Sequence, residues 1–179
     1  LRPPANAVRA LLAAHRRLSR LQRSELTPAA QWLLDNMRML CECAQTLSRE
    51  LAHAPRVPAS GGVPRVLLFC RALCEGAREP ITRGGLLAAA ESWQGVRAFE
   101  LDELSLMYCA LRVALLERVL SLSASAVEET AIAERAAMLA RRYLQGDTSA
   151  RLPDEPLLVE RLLRALSETA VKEPLGVGM

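Results

Sequence analysis

The stretch 101–122, bounded by Leu101 and Leu122, constrains this chain more than any other, because it has the length of a helix and no polar face. Between Leu104 and Leu122 its charged residues are Arg112, Glu117 and Arg118. At about 100° per residue these three point in different directions, so the helix is apolar on nearly every side and belongs inside a protein. The sequence predicts an all-α domain of about seven helices packed around this central one. Asp102 stands where an N-cap is expected, and the serines between Ser121 and Ser125 mark the expected end.

Composition agrees with that class. The chain has 179 residues, 51% of them apolar and only 3% aromatic, which suits one helical domain with a sizeable core. β-Rich proteins draw on alternating runs of Val, Ile, Tyr, Phe and Thr, and no such run is present. The net charge is +3, and 22 of the 23 basic residues are arginine, Lys172 being the exception. No apolar run approaches the roughly 18 residues that span a bilayer, and no signal-peptide pattern opens the chain. Leu1 in place of an initiator Met, with residues 174–179 forming no capped ending, predicts a piece of a longer protein.

The remaining helices read in order. The first, over 7–23, sets Ala7, Leu11, Ala14, Leu18 and Leu21 against a stripe of Arg9, Arg16, Arg20 and Arg23. Such a stripe suits phosphates or anionic headgroups, and equally a solvated face or one meeting the acids of a neighbouring domain. No aromatic side chain interleaves the arginines, so nucleic acid is not the expected partner. Thr27 and Pro28 start a second helix that runs to about Leu51. On it Trp32, Leu33, Met37, Leu40, Ala44 and Leu47 face inward, and Asp35, Arg38 and Glu42 form surface pairs. Asn36 falls among the apolar positions, which predicts a buried amide bonded to a backbone group or a neighbouring side chain.

A Pro- and Gly-rich loop over 54–64 leads to a third helix over 65–77, with Arg71 and Glu75 paired on it. Thr82 caps a short fourth helix whose Leu86, Leu87, Ala90 and Trp93 point inward. After the central helix, Ser125 and Glu128 have the spacing of a capping box for a sixth helix that stops at Gly146. Ile132, Ala136, Leu139 and Tyr143 make its seam, and Tyr108 sits on a similar apolar seam upstream. A loop over 147–153 leads to Asp154, which opens a seventh helix with Leu158, Leu162, Leu163 and Leu166 inward.

Catalytic constellations are thin. The five cysteines, Cys41, Cys43, Cys70, Cys74 and Cys109, occupy apolar helical positions and read as core thiols of a reducing compartment. They lack the paired knuckles of a zinc site, and His15 and His53 lie far from them in sequence. Neither a phosphate-binding glycine loop nor a nucleophile elbow occurs. No catalytic residue, cofactor site or metal ligand is expected.

Several segments nevertheless follow a known order. The run Leu-Thr-Pro-Ala-Ala-Gln-Trp-Leu-Leu-Asp-Asn over 26–36 resembles a segment of the very large cyclic β-1,2-glucan synthases. Gly62-Val63-Pro64-Arg65-Val66 is similar to that family's Gly-x-Pro-Arg-Val, and Trp93-Gln94 to its aromatic-Gln pair. Glu103-Leu104, followed by Leu111-Arg112 and Glu117, resembles the Glu-Leu and Leu-Arg-x-x-Leu-x-Glu that come next. Order and spacing hold over 26–122. The chain departs from the family pattern at Gln31, Met37, Leu67 and Ser105.

The resemblance implies a cytoplasmic helical region of an inner-membrane-associated enzyme that builds a β-1,2-glucan from UDP-glucose. The chemistry would belong to glycosyltransferase and phosphorylase-like modules elsewhere in the polypeptide. The region would be a non-catalytic scaffold or regulatory domain whose partners are the other domains and the membrane surface. The matched residues would then be structural: Trp32 and Leu111 in the core, Asn36 as a buried tie, Pro64 and Arg65 as a helix start. Arg112 and Glu117 would pair with charges on neighbouring helices, and losing Arg112 would cost several kcal/mol. The alternative is an independent helical module that binds protein or nucleic acid through the arginine-rich first helix.

Overall fold

The computed structural model describes residues 1–23, 26–95, 97–147 and 153–172, with side chains as far as residue 167. Among these the chain forms α1 (Ala7–Leu18), α2 (Pro28–Glu50), a 3-10 turn (Leu51–His53), β1 (Ala59–Ser60), β2 (Val63–Pro64) and α3 (Arg65–Gly76). Then come α4 (Arg83–Gln94), α5 (Leu101–Ser105), α6 (Met107–Leu144) and α7 (Pro156–Lys172). The all-α class and the seven helices agree with the sequence, but the chain is divided differently. The expected loop over 147–153 lies, apart from its ends, outside the described residues, as does the ending over 174–179.

Helix starts follow local chemistry. Thr27 accepts from the Ala30 N–H at 3.2 Å with Pro28 in the first turn, and Thr82 accepts from Gly85 N–H at 3.1 Å. The loop before α3 is tighter than expected: β1 and β2 form a two-residue antiparallel ladder pairing Ala59 with Pro64 and Ser60 with Val63. Gly61 and Gly62 turn it with φ of 56° and 79°, a left-handed pair that glycine adopts without strain.

The largest departure concerns α6. The two helices expected on either side of the serines at 121–125 are one helix of 38 residues, about 57 Å long. Its serines and threonine do not turn the chain, because they bond back within the helix. Ser123 donates to the Val119 carbonyl at 2.6 Å, Ser125 to Ser121 at 3.3 Å and Thr130 to Ala126 at 2.7 Å. Ser125 and Glu128 are thus mid-helical and form no capping box. The helix ends at Gly146 (φ 76°), where Gly146 and Asp147 donate to the carbonyls of Tyr143 and Arg142 at 3.0 and 3.1 Å. Asp102 and Asp154 are not caps either: Glu100 precedes α5, and α7 begins at Pro156.

Two apolar clusters hold the described residues. The larger joins α1, α2, α3 and the first half of α6 through Leu11, Leu18, Leu33, Leu47, Val66 and Val113. The smaller joins the second half of α6 to α7 through Ile132, Ala136, Ala140, Leu158 and Leu162. Leu163, Leu87 and Trp93, expected inside, are exposed. The central helix is buried against α2 and α3 but open along one side, where Leu101, Leu104, Tyr108, Leu115 and Leu122 face outward.

Candidate functional site

The residues that follow the glucan-synthase pattern come from four segments, and three of these segments meet at one place. Arg65, the first residue of α3, reaches the carboxylate of Glu103 on α5 with the Nε–Nη2 edge of its guanidinium. Nε donates to Oε1 at 3.2 Å and Nη2 to Oε2 at 2.9 Å. Glu103 is fully buried and the Arg65 side chain is 13% exposed, so this pair is the deepest charge in the structure described. Arg65 Nη2 also donates to the Ala98 carbonyl at 2.9 Å, and the Glu100 N–H donates to Glu103 Oε2 at 2.9 Å. A charge-assisted fork with its remaining groups satisfied is the arrangement in which a buried ion pair is tolerated.

Aromatic rings close over the fork. The Arg65 guanidinium lies 5.7 Å from the Phe99 ring centre, and Phe69 meets Phe99 and Trp93 edge-on at 5.5 and 5.6 Å. Gln94 Oε1 accepts from the Phe99 N–H at 3.2 Å, which ties the end of α4 to the entry of α5. Beside this cluster a cleft of about 880 Å³ opens between α3 and α4, with Leu68, Phe69, Ala72 and Trp93 in its wall and Ser60 and Arg97 at its rim.

Both Glu103 oxygens are occupied by Arg65, which leaves this carboxylate unsuited to nucleophilic or acid–base work. The arrangement joins three helices and holds them in place.

Two further ion pairs tie α6 to its neighbours. Arg71 and Glu117 form a second fork, both bonds 2.7 Å, and this pairing raises the Arg71 pKa. Arg71 therefore pairs across helices rather than with Glu75. Arg112 donates to Glu50 on α2 at 2.5 Å and lies 5.3 Å over the Tyr108 ring. Arg112 is 17% exposed, but Glu50 is 41% exposed, so the site is solvated enough that the expected cost of several kcal/mol for losing Arg112 is too high.

Other sequence expectations change with the structure. Trp32 is 50% exposed rather than in the core, and Leu111 is only partly covered. Asn36 does bond a backbone group, the Trp32 carbonyl of its own helix at 2.8 Å, but it is half-buried and ties nothing together. Asp35 pairs with Arg23 at 3.5 Å, while Arg38 pairs with Glu42 as expected at 2.9 Å.

The four arginines do not make one helical stripe. The helix α1 ends at Leu18, so Arg9 and Arg16 lie on it and Arg20 and Arg23 lie beyond it. Pro64 and Arg65 do start α3, with Pro64 at its N-cap. Burial pushes the Cys70 thiol up to about 12, and it makes its contacts with Met107. All five cysteines are free.

The Arg65–Glu103 pair was not visible in the sequence because 38 residues separate its members. Its one signal was that both belong to segments of the family pattern.

Over an alignment 102 residues long that covers 54% of this chain, the sequence is 28% identical to the cyclic beta-(1,2)-glucan synthase NdvB of Rhizobium meliloti (strain 1021). The chain matches 4% of that protein's length. No protein-family model matches the chain. No solved structure matches it either. Among the described residues no helix is long and apolar enough to cross a membrane.

Proposed function

We propose that this chain is a non-catalytic helical scaffold domain of a cyclic β-1,2-glucan synthase-like enzyme, in which other modules act on UDP-glucose. The reading places it on the cytoplasmic side, beside the membrane that carries the parent protein. What supports it is where the shared residues fall. Arg65 and Glu103 form a buried fork, Trp93 and Gln94 flank it where α3, α4 and α5 meet, and Glu117 ties α6 to α3. Residues kept for packing and pairing are what a scaffold retains, whereas a transferase would hold a carboxylate free over an open cleft.

The reading frame extended outward from Leu1 and Met179 tests this directly. It is expected to run into membrane spans, a glycosyltransferase module and a phosphorylase-like domain. In that full-length polypeptide, Glu103→Ala should lower glucan output in proportion to the amount of folded enzyme and leave KM for UDP-glucose unchanged. A raised KM at an undiminished amount of folded enzyme would place the donor sugar at this domain and overturn the scaffold reading. Stop and start codons immediately outside the chain would overturn it as well.

A further inference from the structure

The open side of the central helix has a regular pattern. Leu101, Leu104, Tyr108, Leu111, Leu115 and Leu122 recur at intervals of three and four, and Arg118 holds the one remaining place in the series. That is the seam of a coiled coil, carried through three heptads from α5 into α6. Its side chains are mostly uncovered: Tyr108 is 69% exposed, and Leu101, Leu104, Leu115 and Leu122 are all exposed. On the adjoining edge of α2, Trp32 and Met39, also exposed and also seven residues apart, widen the same face. A cleft lined by Trp32, Val119 and Leu122 runs between the two helices.

We infer that this face is a self-association surface, on which α5 and α6 of a second copy pack antiparallel about a two-fold axis. Two observations select a second copy. The first is area. The exposed parts of the seam residues offer roughly 600 Å² per chain, so the seams of two copies can bury at most about 1,200 Å², the lower end for a stable interface, and Trp32 and Met39 add to it. The second is self-complementarity. With the axis beside position 113, Leu104 meets Leu122 of the second copy and Leu111 meets Leu115. In the same register Tyr108, one face of which already carries Arg112, meets Arg118 of the second copy. The one charge in the seam thus faces the one aromatic ring, and each patch is the other's partner, as an isologous contact requires.

Sedimentation equilibrium of the 179-residue chain tests this, with circular dichroism as the check on folding. The wild-type chain is expected at twice 19.6 kDa in the micromolar range. Leu115→Glu, an exposed position on a helix, should give the monomer mass with unchanged helicity. Leu87→Glu, equally exposed but on α4, should leave the dimer intact. Mixing Leu104→Cys with Leu122→Cys chains under mild oxidation should give more cross-linked dimer than either alone. A wild-type monomer at 100 µM or so would overturn the inference and leave the seam to a helix from another segment of the polypeptide. A dimer that survives Leu115→Glu would overturn it too, by placing the contact elsewhere.

Discussion

Among single residues, Glu103 has the largest expected effect. It is fully buried and, among the described residues, its counter-charge is Arg65, so Glu103→Gln removes the charge that faces a guanidinium only 13% exposed. Breaking a buried pair in this way costs about 3 to 5 kcal/mol. Urea titration is expected to show a loss of that size, whereas Arg112→Ala, whose partner Glu50 is 41% exposed, should cost about 1 kcal/mol. Equal losses in the two variants would mean that burial does not rank these pairs. Cys70 gives a pH dependence. Its thiol is held neutral by burial in the folded chain, from an ordinary 9.0 up to about 12. Above pH 9 the unfolded chain therefore binds fewer protons than the folded one, and stability is expected to fall as pH rises from about 9 towards 12. Cys70→Ala should make that slope shallower without abolishing it, because burial also raises the thiols of Cys41, Cys74 and Cys109. The sequence placed Glu103 in the family pattern and Cys70 on an apolar position but gave neither its partner, since an ion pair between distant segments leaves no periodicity to read.

At the scale of elements, legibility followed the reach of the interaction. Some caps within one turn were readable, so Thr27 with Pro28, Thr82 and Gly146 stand where expected, whereas Asp102 and Asp154 do not cap. The apolar faces of α1 and α2 were readable from their 3.6-residue period. The serines of α6 were not, because Ser125 three places before Glu128 has the same spacing whether it caps a helix or lies within one. Tertiary packing along both halves of α6 decides for the continuous helix over the local preference of serine for turns. The two alternatives differ in what alanine does. If Ser125 capped a helix, Ser125→Ala would lose about 1 kcal/mol; mid-helix, it should be neutral or stabilise by a few tenths, given alanine's higher propensity. Thermal melting is expected to show no loss for Ser125→Ala and a loss of about 1 kcal/mol for Thr27→Ala, whose hydroxyl is a cap. A loss at Ser125 matching that at Thr27 would argue for two helices.

At the scale of the whole molecule, α6 belongs to both apolar clusters, and they differ greatly in size. The cluster around α1, α2 and α3 contains Leu11, Leu18, Leu47 and Val66, all fully buried, and is braced by the Arg65–Glu103 and Arg71–Glu117 forks. Among the described residues, the cluster under α7 rests on five buried side chains, only three of which, Ile132, Leu158 and Leu162, are larger than alanine. A region with so few buried apolar contacts opens more readily than the one it is attached to. Native-state hydrogen exchange is therefore expected to show the amides of α7 and of positions 132–144 exchanging before those of 33–47. Leu162→Ala sharpens the test. Truncating a buried leucine costs about 2 to 5 kcal/mol, a large share of what the smaller cluster contributes. If the clusters open separately, that loss appears as faster exchange in α7 and the end of α6, while α2 and α3 keep their protection. If α6 transmits the loss along its length, protection falls by the same factor in both halves, and the chain unfolds as a single cooperative unit. The back-bond of Thr130 falls in the short gap on α6 between Val127, which packs on the larger cluster, and Ile132, which opens the smaller one. That placement favours separate opening, with the helix loosening first on the α7 side of Thr130.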